Sequence, residues 1–157
     1  MAVIKNNKVD NFFAAATSNK DIKLSALQGY QLVLFFYPKD ATPGCTMEGQ
    51  DFSAHYEDFK AINTVILGVS RDNLASHESF KAKESFPFEL ISDTDEALCR
   101  QFEVLKLKNI AGKEVIGVER STFLISKSGI LTKEWRGVSV AGHVIQVLEA
   151  AKKLEQS

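Results

Sequence analysis

An uninterrupted apolar run, Leu32 to Tyr37, is the feature of the sequence that most constrains the fold. A strand with no polar position on either side is typical of a sheet that is covered on both faces. Pro38 follows at once and ends the strand, and a short polar loop then leads into a stretch with helical spacing. A second continuous apolar strand, Thr64 to Val69, comes after that helix. This alternation predicts an α/β fold whose central sheet is at least partly parallel.

The rest of the chain continues the alternation of strand and helix patterns. Apolar positions after Cys45 recur at i, i+4 and i+7, which predicts an amphipathic helix. Asp72 and Asn73 can cap the next helix. The other predicted elements are weak strands at Phe12–Ala15 and Ile22–Leu24, a strand at Phe88–Ile91, a helix at Asp93–Phe102, hairpin strands at Ser121–Ser126 and Ile130–Arg136, and a final helix from Val144 to Leu154. Residues 104–118 alternate around a turn and receive no assignment.

Length, composition and charge narrow the class of protein. At 157 residues, with 45% hydrophobic and 25% charged residues, the chain fits one globular domain over residues 1–157. A net charge of −1 argues against a nucleic-acid surface, which needs a basic excess. Neither a secretory signal nor an apolar run of membrane-spanning length is recognised, so no membrane partner is expected. With two cysteines, the chain is expected to be a soluble protein of the reducing cytoplasm.

One of the two cysteines, Cys45, falls at the start of a predicted helix. Unpaired backbone N–H groups and the helix dipole favour an anion at this position. A thiol held there loses its proton more easily, and the thiolate is the reactive form. The alternative is a small apolar residue packed beneath a loop, since free cysteine is often buried. The reactive thiol is favoured by three neighbours: Thr42, Pro43 at the predicted first helical position, and Gly44 beside the sulfur.

The same residues carry a resemblance to a known family. The spacing Pro38-x-x-x-Thr42-x-x-Cys45 resembles the active-site loop of peroxiredoxins, the thiol-dependent peroxidases. The longer string from Phe36 to Glu48 is similar to the peroxiredoxin Q branch, also called bacterioferritin comigratory proteins. The likeness continues along nearly the whole chain, in Gly68–Asp72, Phe86–Asp93 and Glu119–Ile125. It departs at Val9-Asp10-Asn11-Phe12, where the family usually has a proline before Asp-Phe.

The resemblance implies both a fold and a reaction. The fold is thioredoxin-like, with a central mixed sheet flanked by helices. The reaction is the reduction of hydrogen peroxide and organic hydroperoxides by Cys45, through a sulfenic acid on that residue. Thioredoxin, or glutaredoxin with glutathione, is the expected reductant, and no cofactor is expected. Because this branch is commonly monomeric, we expect a monomer or a weak dimer.

Peroxidase chemistry gives roles to the neighbours of Cys45. Negative charge builds on the leaving oxygen as sulfur attacks a peroxide, so hydrogen-bond donors must face that oxygen. The backbone N–H groups of Gly44 and Cys45 are candidates. The Thr42 hydroxyl can accept from the peroxide and donate to the sulfur, and it can also cap the helix. Pro38 either shields the site from water or only terminates the strand.

A cation beside the thiolate is predicted at Arg120, directly before the strand that begins at Ser121. A guanidinium favours the thiolate and can orient a peroxide. A lone arginine is more often a solvated surface charge. The resemblance of Glu119–Phe123 to the family's active-site arginine segment assigns Arg120 to the site. Glu48, one turn after Cys45, is interpreted as a structural residue at the helix start.

The position of Cys99 bears on how the enzyme is recycled. Two-cysteine members of the branch often carry a second cysteine five residues after the nucleophile, where this chain has Gln50. Others carry it in the segment that aligns with Ser79–Lys83, which has none here. Cys99 is instead interpreted as a small packed residue on a short helix. The resemblance therefore implies a one-cysteine peroxiredoxin, and the alternative is that Cys99 resolves the oxidised Cys45.

Two further interpretations concern the histidines and the class of protein. His55, His77 and His143 lie far apart with no carboxylate or cysteine at ligand spacing, so no metal site is predicted. His77 is interpreted as a surface residue of its helix. The rival class is a thioredoxin-fold redox sensor or holdase with an oxidisable Cys45. The combination of Thr42, Cys45 and Arg120 argues against that class, since a sensor needs only the cysteine.

Overall fold

The computed structural model describes residues 2–157, and in this part of the chain seven strands form one mixed sheet. Two further strands pair apart from that sheet. In chain order, the strands of both sheets are β1 (Phe13–Ala16), β2 (Lys20–Lys23), β3 (Gln31–Phe36), β4 (Thr64–Ser70), β5 (Glu89–Ser92), β6 (Leu105–Ile110), β7 (Lys113–Val118), β8 (Ser121–Ile125) and β9 (Leu131–Arg136). The sheet order is β2-β1-β5-β4-β3-β8-β9, and β6 and β7 form a separate hairpin. The helices are α1 (Pro43–Ala54), α2 (Tyr56–Ala61), α3 (Leu74–Glu84), α4 (Ala97–Gln101) and α5 (His143–Glu155), with a short 3₁₀ turn at Leu24–Leu27.

The directions of the central strands bring four chain segments to one edge of the sheet. β3, β4 and β5 run parallel, with Phe36 opposite Val69 and Ser70 opposite Ser92. β8 runs antiparallel to β3, so that Ser121 lies opposite Phe36. The carboxyl ends of β3, β4 and β5 therefore meet the amino end of β8. Loops at this edge of a parallel sheet commonly form ligand sites.

Two hydrophobic clusters cover the two faces of the sheet. From β3, Phe35 joins a cluster with residues of α1, α2, α3 and α5, while Phe36 joins a cluster with residues of α4. Both phenylalanines are almost fully buried. Burying one such side chain stabilises the fold by about 1.5–3 kcal/mol. The unbroken apolar run predicted this arrangement, because successive strand side chains point to opposite faces.

The structure confirms the α/β alternation and refines several predicted bounds. The predicted helix after Cys45 is interrupted at His55, which separates α1 from α2. The helix predicted from Asp93 begins only at Ala97, because both Asp93 carboxylate oxygens accept N–H groups of its first turn. Residues 104–118, for which the sequence predicts no element, contain the whole β6–β7 hairpin. Within the described chain, no helix is both long and apolar enough to span a membrane. One domain over residues 1–157 stays a prediction.

Candidate active site

The loop after β3 turns sharply and starts α1. Ala41 has a φ of 62°, a left-handed conformation that costs a non-glycine residue roughly 1–2 kcal/mol. Thr42 occupies the N-cap position, but its hydroxyl donates to the Lys39 carbonyl at 2.8 Å and does not cap the helix. Pro43 is the first helical residue, as predicted. Pro38 lies half-buried between β3 and this turn, and its proposed shielding role stays a prediction.

Two backbone N–H groups of α1 come before the residue that donates the first hydrogen bond of the helix. Thr46 donates its N–H to the Thr42 carbonyl at 2.9 Å. The N–H groups of Gly44 and Cys45 therefore precede the first intrahelical bond, beside the sulfur. Groups in this position can bind an anion at the helix start, and their role in binding peroxide stays a prediction.

Cys45 and Arg120 meet across the edge of the sheet. The Arg120 Nη2 group donates to Cys45 Sγ at 3.4 Å, and the thiol is buried. Arg120 reaches the thiol because it directly precedes the amino end of β8, which lies at the same edge as the end of β3. Gly44 makes room for it, since a Cβ there would lie 3.2 Å from Nη2. The structure thus brings Arg120 and Cys45 together, and the catalytic role of Arg120 stays a prediction.

Glu48 is a third member of the site, and the sequence interpretation missed this role. Its Oε1 accepts from Arg120 Nη1 at 2.7 Å, so that one guanidinium bridges Glu48 and Cys45. Burial raises the pKa of Glu48 to about 7, although the positive charge of Arg120 opposes the shift. Burial by itself lowers the pKa of Arg120, but Glu48 and Cys45 outweigh that effect and raise it. The guanidinium stays charged.

The comparisons with known proteins agree with this geometry. Residues 6–134 match the model of the AhpC/TSA family. The chain is 56% identical over 129 residues to peroxiredoxin Bcp of Xanthomonas campestris, which covers 82% of this chain and 81% of the relative. It is a peroxiredoxin of the Bcp/PrxQ branch. A second relative, peroxiredoxin Bcp of Bacillus subtilis, is 48% identical over 135 residues, with 86% of each chain covered.

Solved structures show that this peroxiredoxin has the thioredoxin-like fold of the branch. Xanthomonas campestris bacterioferritin comigratory protein, described for its alkyl peroxide reduction activity, superposes with a TM-score of 0.90 at 47% identity over 99% of both chains. A Xylella fastidiosa PrxQ mutant superposes with a TM-score of 0.92 at 40% identity over 98% of both chains. The chain is therefore a peroxidase and an oxidoreductase. Peroxiredoxins act on peroxides together with a thiol reductant such as thioredoxin.

The second cysteine of this peroxiredoxin lies away from the site. Cys99 is fully buried on α4 and belongs to the cluster on the sheet face opposite Cys45. Its backbone N–H donates to Asp93 Oδ2 at 2.8 Å. Burial, followed by the nearby Asp93 carboxylate, raises the pKa of the Cys99 thiol well above its ordinary value. A neutral, packed thiol of this kind is a poor nucleophile.

His143, at the start of α5, lies close to the active-site arginine. Its Nε2 is 2.7 Å from the hydroxyl of Thr122, a residue of β8 two positions after Arg120. Burial, followed by the positive charge of Arg120, lowers the pKa of His143 to about 4. The ring is therefore neutral at pH 7 and adds no second cation to the peroxiredoxin site.

The interpretation of His77 as a surface residue is wrong. Its ring is fully buried on α3. One of its ring nitrogens lies within 4.8 Å of a carboxylate oxygen of Asp40 and of one of Asp72. Sequence spacing could not show this, because the three residues come from separate loops and a helix. Hydrogen bonds already occupy these groups: Ser76 donates to Asp40, and Ser70 donates to Asp72. The absence of a metal stays a prediction. The partly exposed His55 ring has its Nδ1 atom 3.1 Å from Asp58 Oδ2.

Proposed function

We propose that Cys45 reduces hydrogen peroxide and organic hydroperoxides by direct attack of its thiolate. The sulfur forms a bond to one peroxide oxygen while the O–O bond breaks. Sulfur is oxidised to a sulfenic acid, and the second oxygen leaves as hydroxide or alkoxide, which takes up a proton to give water or an alcohol. No cofactor takes part, because both electrons come from the sulfur.

The contact between Arg120 Nη2 and Cys45 Sγ is the observation that carries this proposal. A fixed guanidinium stabilises the thiolate before the reaction and the leaving oxygen during it. The N–H groups of Gly44 and Cys45 supply further donors at the helix start. Glu48 holds the guanidinium in place from its other side. The alkyl peroxide reduction described for the Xanthomonas campestris relative supports organic hydroperoxides as substrates.

We propose further that the enzyme works with one cysteine and an external thiol. A donor thiol condenses with the sulfenic acid, releasing water and forming a mixed disulfide. A second thiol then reduces that disulfide and regenerates Cys45. The burial of Cys99 on the opposite sheet face supports this route. Thioredoxin, or glutaredoxin with glutathione, is the proposed donor, and the enzyme is proposed to act as a monomer or weak dimer in the cytoplasm.

Peroxide consumption by Cys45→Ser and Cys99→Ser variants tests both parts of the proposal. We expect Cys45→Ser to lose activity with every donor and Cys99→Ser to keep it, since only the first removes the nucleophile. Thioredoxin, glutaredoxin with glutathione, and dithiothreitol are compared as donors. Substantial turnover by folded Cys45→Ser contradicts the assignment of the nucleophile. Loss of thioredoxin-dependent turnover in Cys99→Ser contradicts the one-cysteine route.

A further inference from the structure

A buried polar cluster ties the active-site loop to helix α3 and lies outside the reacting centre. Asp40, in the loop between β3 and α1, receives one hydrogen bond from the Tyr37 hydroxyl at 2.7 Å and one from the Ser76 hydroxyl at 2.8 Å. His77 Nδ1 lies 2.7 Å from Asp40 Oδ2. The other ring nitrogen of His77, Nε2, lies 2.9 Å from the Ile91 carbonyl oxygen of β5.

The partners of His77 fix the number of protons in the cluster. The Ile91 carbonyl can only accept, so Nε2 carries a hydrogen. Two lone pairs at 2.7 Å would repel, and a second proton therefore lies between Nδ1 and Asp40 Oδ2. The pair holds either imidazolium with carboxylate or imidazole with carboxylic acid. In both forms, removal of the shared proton breaks one of the two hydrogen bonds of the ring.

Asp40 is placed where its release would change the active-site loop. The next residue, Ala41, has the unfavourable left-handed conformation, and Thr42 then starts the helix that carries Cys45. The Asp40 backbone N–H donates to Asp72 Oδ2 at 2.9 Å, so the loop is held through both its side chain and its main chain. Strained backbone of this kind persists only where the surroundings hold it.

We propose that His77 is a positioning residue that holds the active-site loop through its hydrogen bond with Asp40. The proposal rests on the proposed function, in which Cys45 is the reacting thiol. With this hydrogen bond in place, the loop keeps Cys45 against Arg120. Without it, the hold on Asp40 is weakened, the turn at Ala41 relaxes and Cys45 moves away from the guanidinium. Oxidation by peroxide then slows.

The titratable groups around His77 come from three other segments. Asp40 faces the ring from the active-site loop, Tyr37 from the position directly after β3 and Asp72 from the segment after β4. Burial, followed by the negative charge of Asp40, raises the pKa of Tyr37 well above its ordinary value. The Tyr37 hydroxyl therefore stays protonated and donates to Asp40.

Two substitutions at His77 separate its two hydrogen bonds. In His77→Asn the amide nitrogen takes the place of Nδ1, so the donor to Asp40 is kept and the bond to Ile91 is lost. In His77→Gln the amide nitrogen takes the place of Nε2, so the bond to Ile91 is kept and the donor to Asp40 is lost. Each variant gives up one buried hydrogen bond, and the two serve as matched controls for stability.

The readout is the rate of Cys45 oxidation in a single turnover, followed by trapping of the sulfenic acid. We expect His77→Gln to be oxidised about tenfold more slowly than wild type, the effect of one lost hydrogen bond in a buried charged pair, and His77→Asn to be close to wild type. Equal rates in wild type and both variants, or equal losses in both variants, overturn the proposal. Failure of the wild type itself to form the Cys45 adduct would instead overturn the proposed function.

Asp40→Asn and Asp40→Ala provide a second test that does not change His77. The asparagine amide can donate to an unprotonated Nδ1, so Asp40→Asn keeps a hydrogen bond to His77, whereas Asp40→Ala removes it. We expect the single-turnover oxidation rate of Asp40→Asn to stay close to that of wild type and the rate of Asp40→Ala to fall. Equal losses in the two variants overturn the proposal, as do wild-type rates in both. This comparison decides the question if either His77 variant does not fold.

Discussion

Cys45 and Cys99 lie on opposite faces of the central sheet. Phe35 packs in the cluster that contains Cys45, and the next residue of the strand, Phe36, packs in the cluster that contains Cys99. A disulfide requires the two Cα atoms to come within about 7 Å. The intact sheet stands between the two thiols, so a bridge requires local unfolding of the chain. This relationship is the physical basis for our proposal of a one-cysteine mechanism.

Arg120 is expected to act on the oxidation step, because its guanidinium contacts the sulfur directly. Arg120→Ala should slow oxidation of Cys45 by about a hundredfold or more, the usual cost of losing a donor aimed at developing charge. Arg120→Lys should recover only part of the rate, since an ammonium cannot contact Cys45 and Glu48 with a planar fork. Arg100→Ala, which removes an exposed arginine that pairs with Glu96, is the matched control. A wild-type rate in Arg120→Ala would show that the contact is not used.

Glu48→Gln should change the pH dependence of stability in a defined direction. The pKa of Glu48 is raised from 4.5 to about 7, so the native state binds this proton more tightly than the unfolded chain does. The group therefore contributes stability at low pH, and the contribution is lost as pH rises from 4.5 to about 7. Glutamine keeps an acceptor for Arg120 and has no such titration.

Denaturant unfolding of wild type and Glu48→Gln across that range measures the effect. The free energy of unfolding of the variant relative to wild type should rise with pH, by up to about 3 kcal/mol. A difference between the two proteins that does not change with pH would mean that Glu48 titrates as it does in the unfolded chain.

His143 should affect the pH dependence of the free energy of unfolding in the opposite direction to Glu48, and His143→Gln tests this. The pKa of His143 is lowered from 6.5 to about 4, because burial and the Arg120 charge disfavour the imidazolium. The unfolded chain therefore takes up this proton first, and the wild type loses stability as pH falls from 6.5 to about 4, by up to about 3 kcal/mol. Glutamine can still hydrogen-bond the Thr122 hydroxyl but cannot titrate. In unfolding experiments the variant should lose less stability on acidification, and parallel losses in the two proteins would refute the assignment.

The sequence predicted those parts of the fold and site that depend on local pattern. The apolar run of β3 and the proline, glycine and cysteine that follow it specify a strand, a turn and a helix start within a few residues. The β6–β7 hairpin could not be assigned, because Leu107 and Ile116 are exposed there and no buried face produces a clear pattern. Such exposed strands depend on pairing with each other.

Residues that function through distant partners were harder to predict. Glu48 lies three residues after Cys45, and this spacing places both side chains on one helix face. That signal was present, but the partner Arg120 is 72 residues away. His77 had no such signal, because its burial depends on Asp40, Ile91 and Tyr37 from three other segments. Long-range packing, and not local pattern, sets the environment of both residues.

The intact mass of the wild-type protein after one equivalent of peroxide tests the central claim most directly. Sulfenic acids are trapped with a dione reagent and remaining thiols are then alkylated, before the mass and the modified residues are determined. The account predicts one sulfenic adduct on Cys45 and one alkylated thiol on Cys99. A protein two hydrogens lighter, with neither an adduct nor a free thiol, would contradict it and make Cys99 the resolving residue.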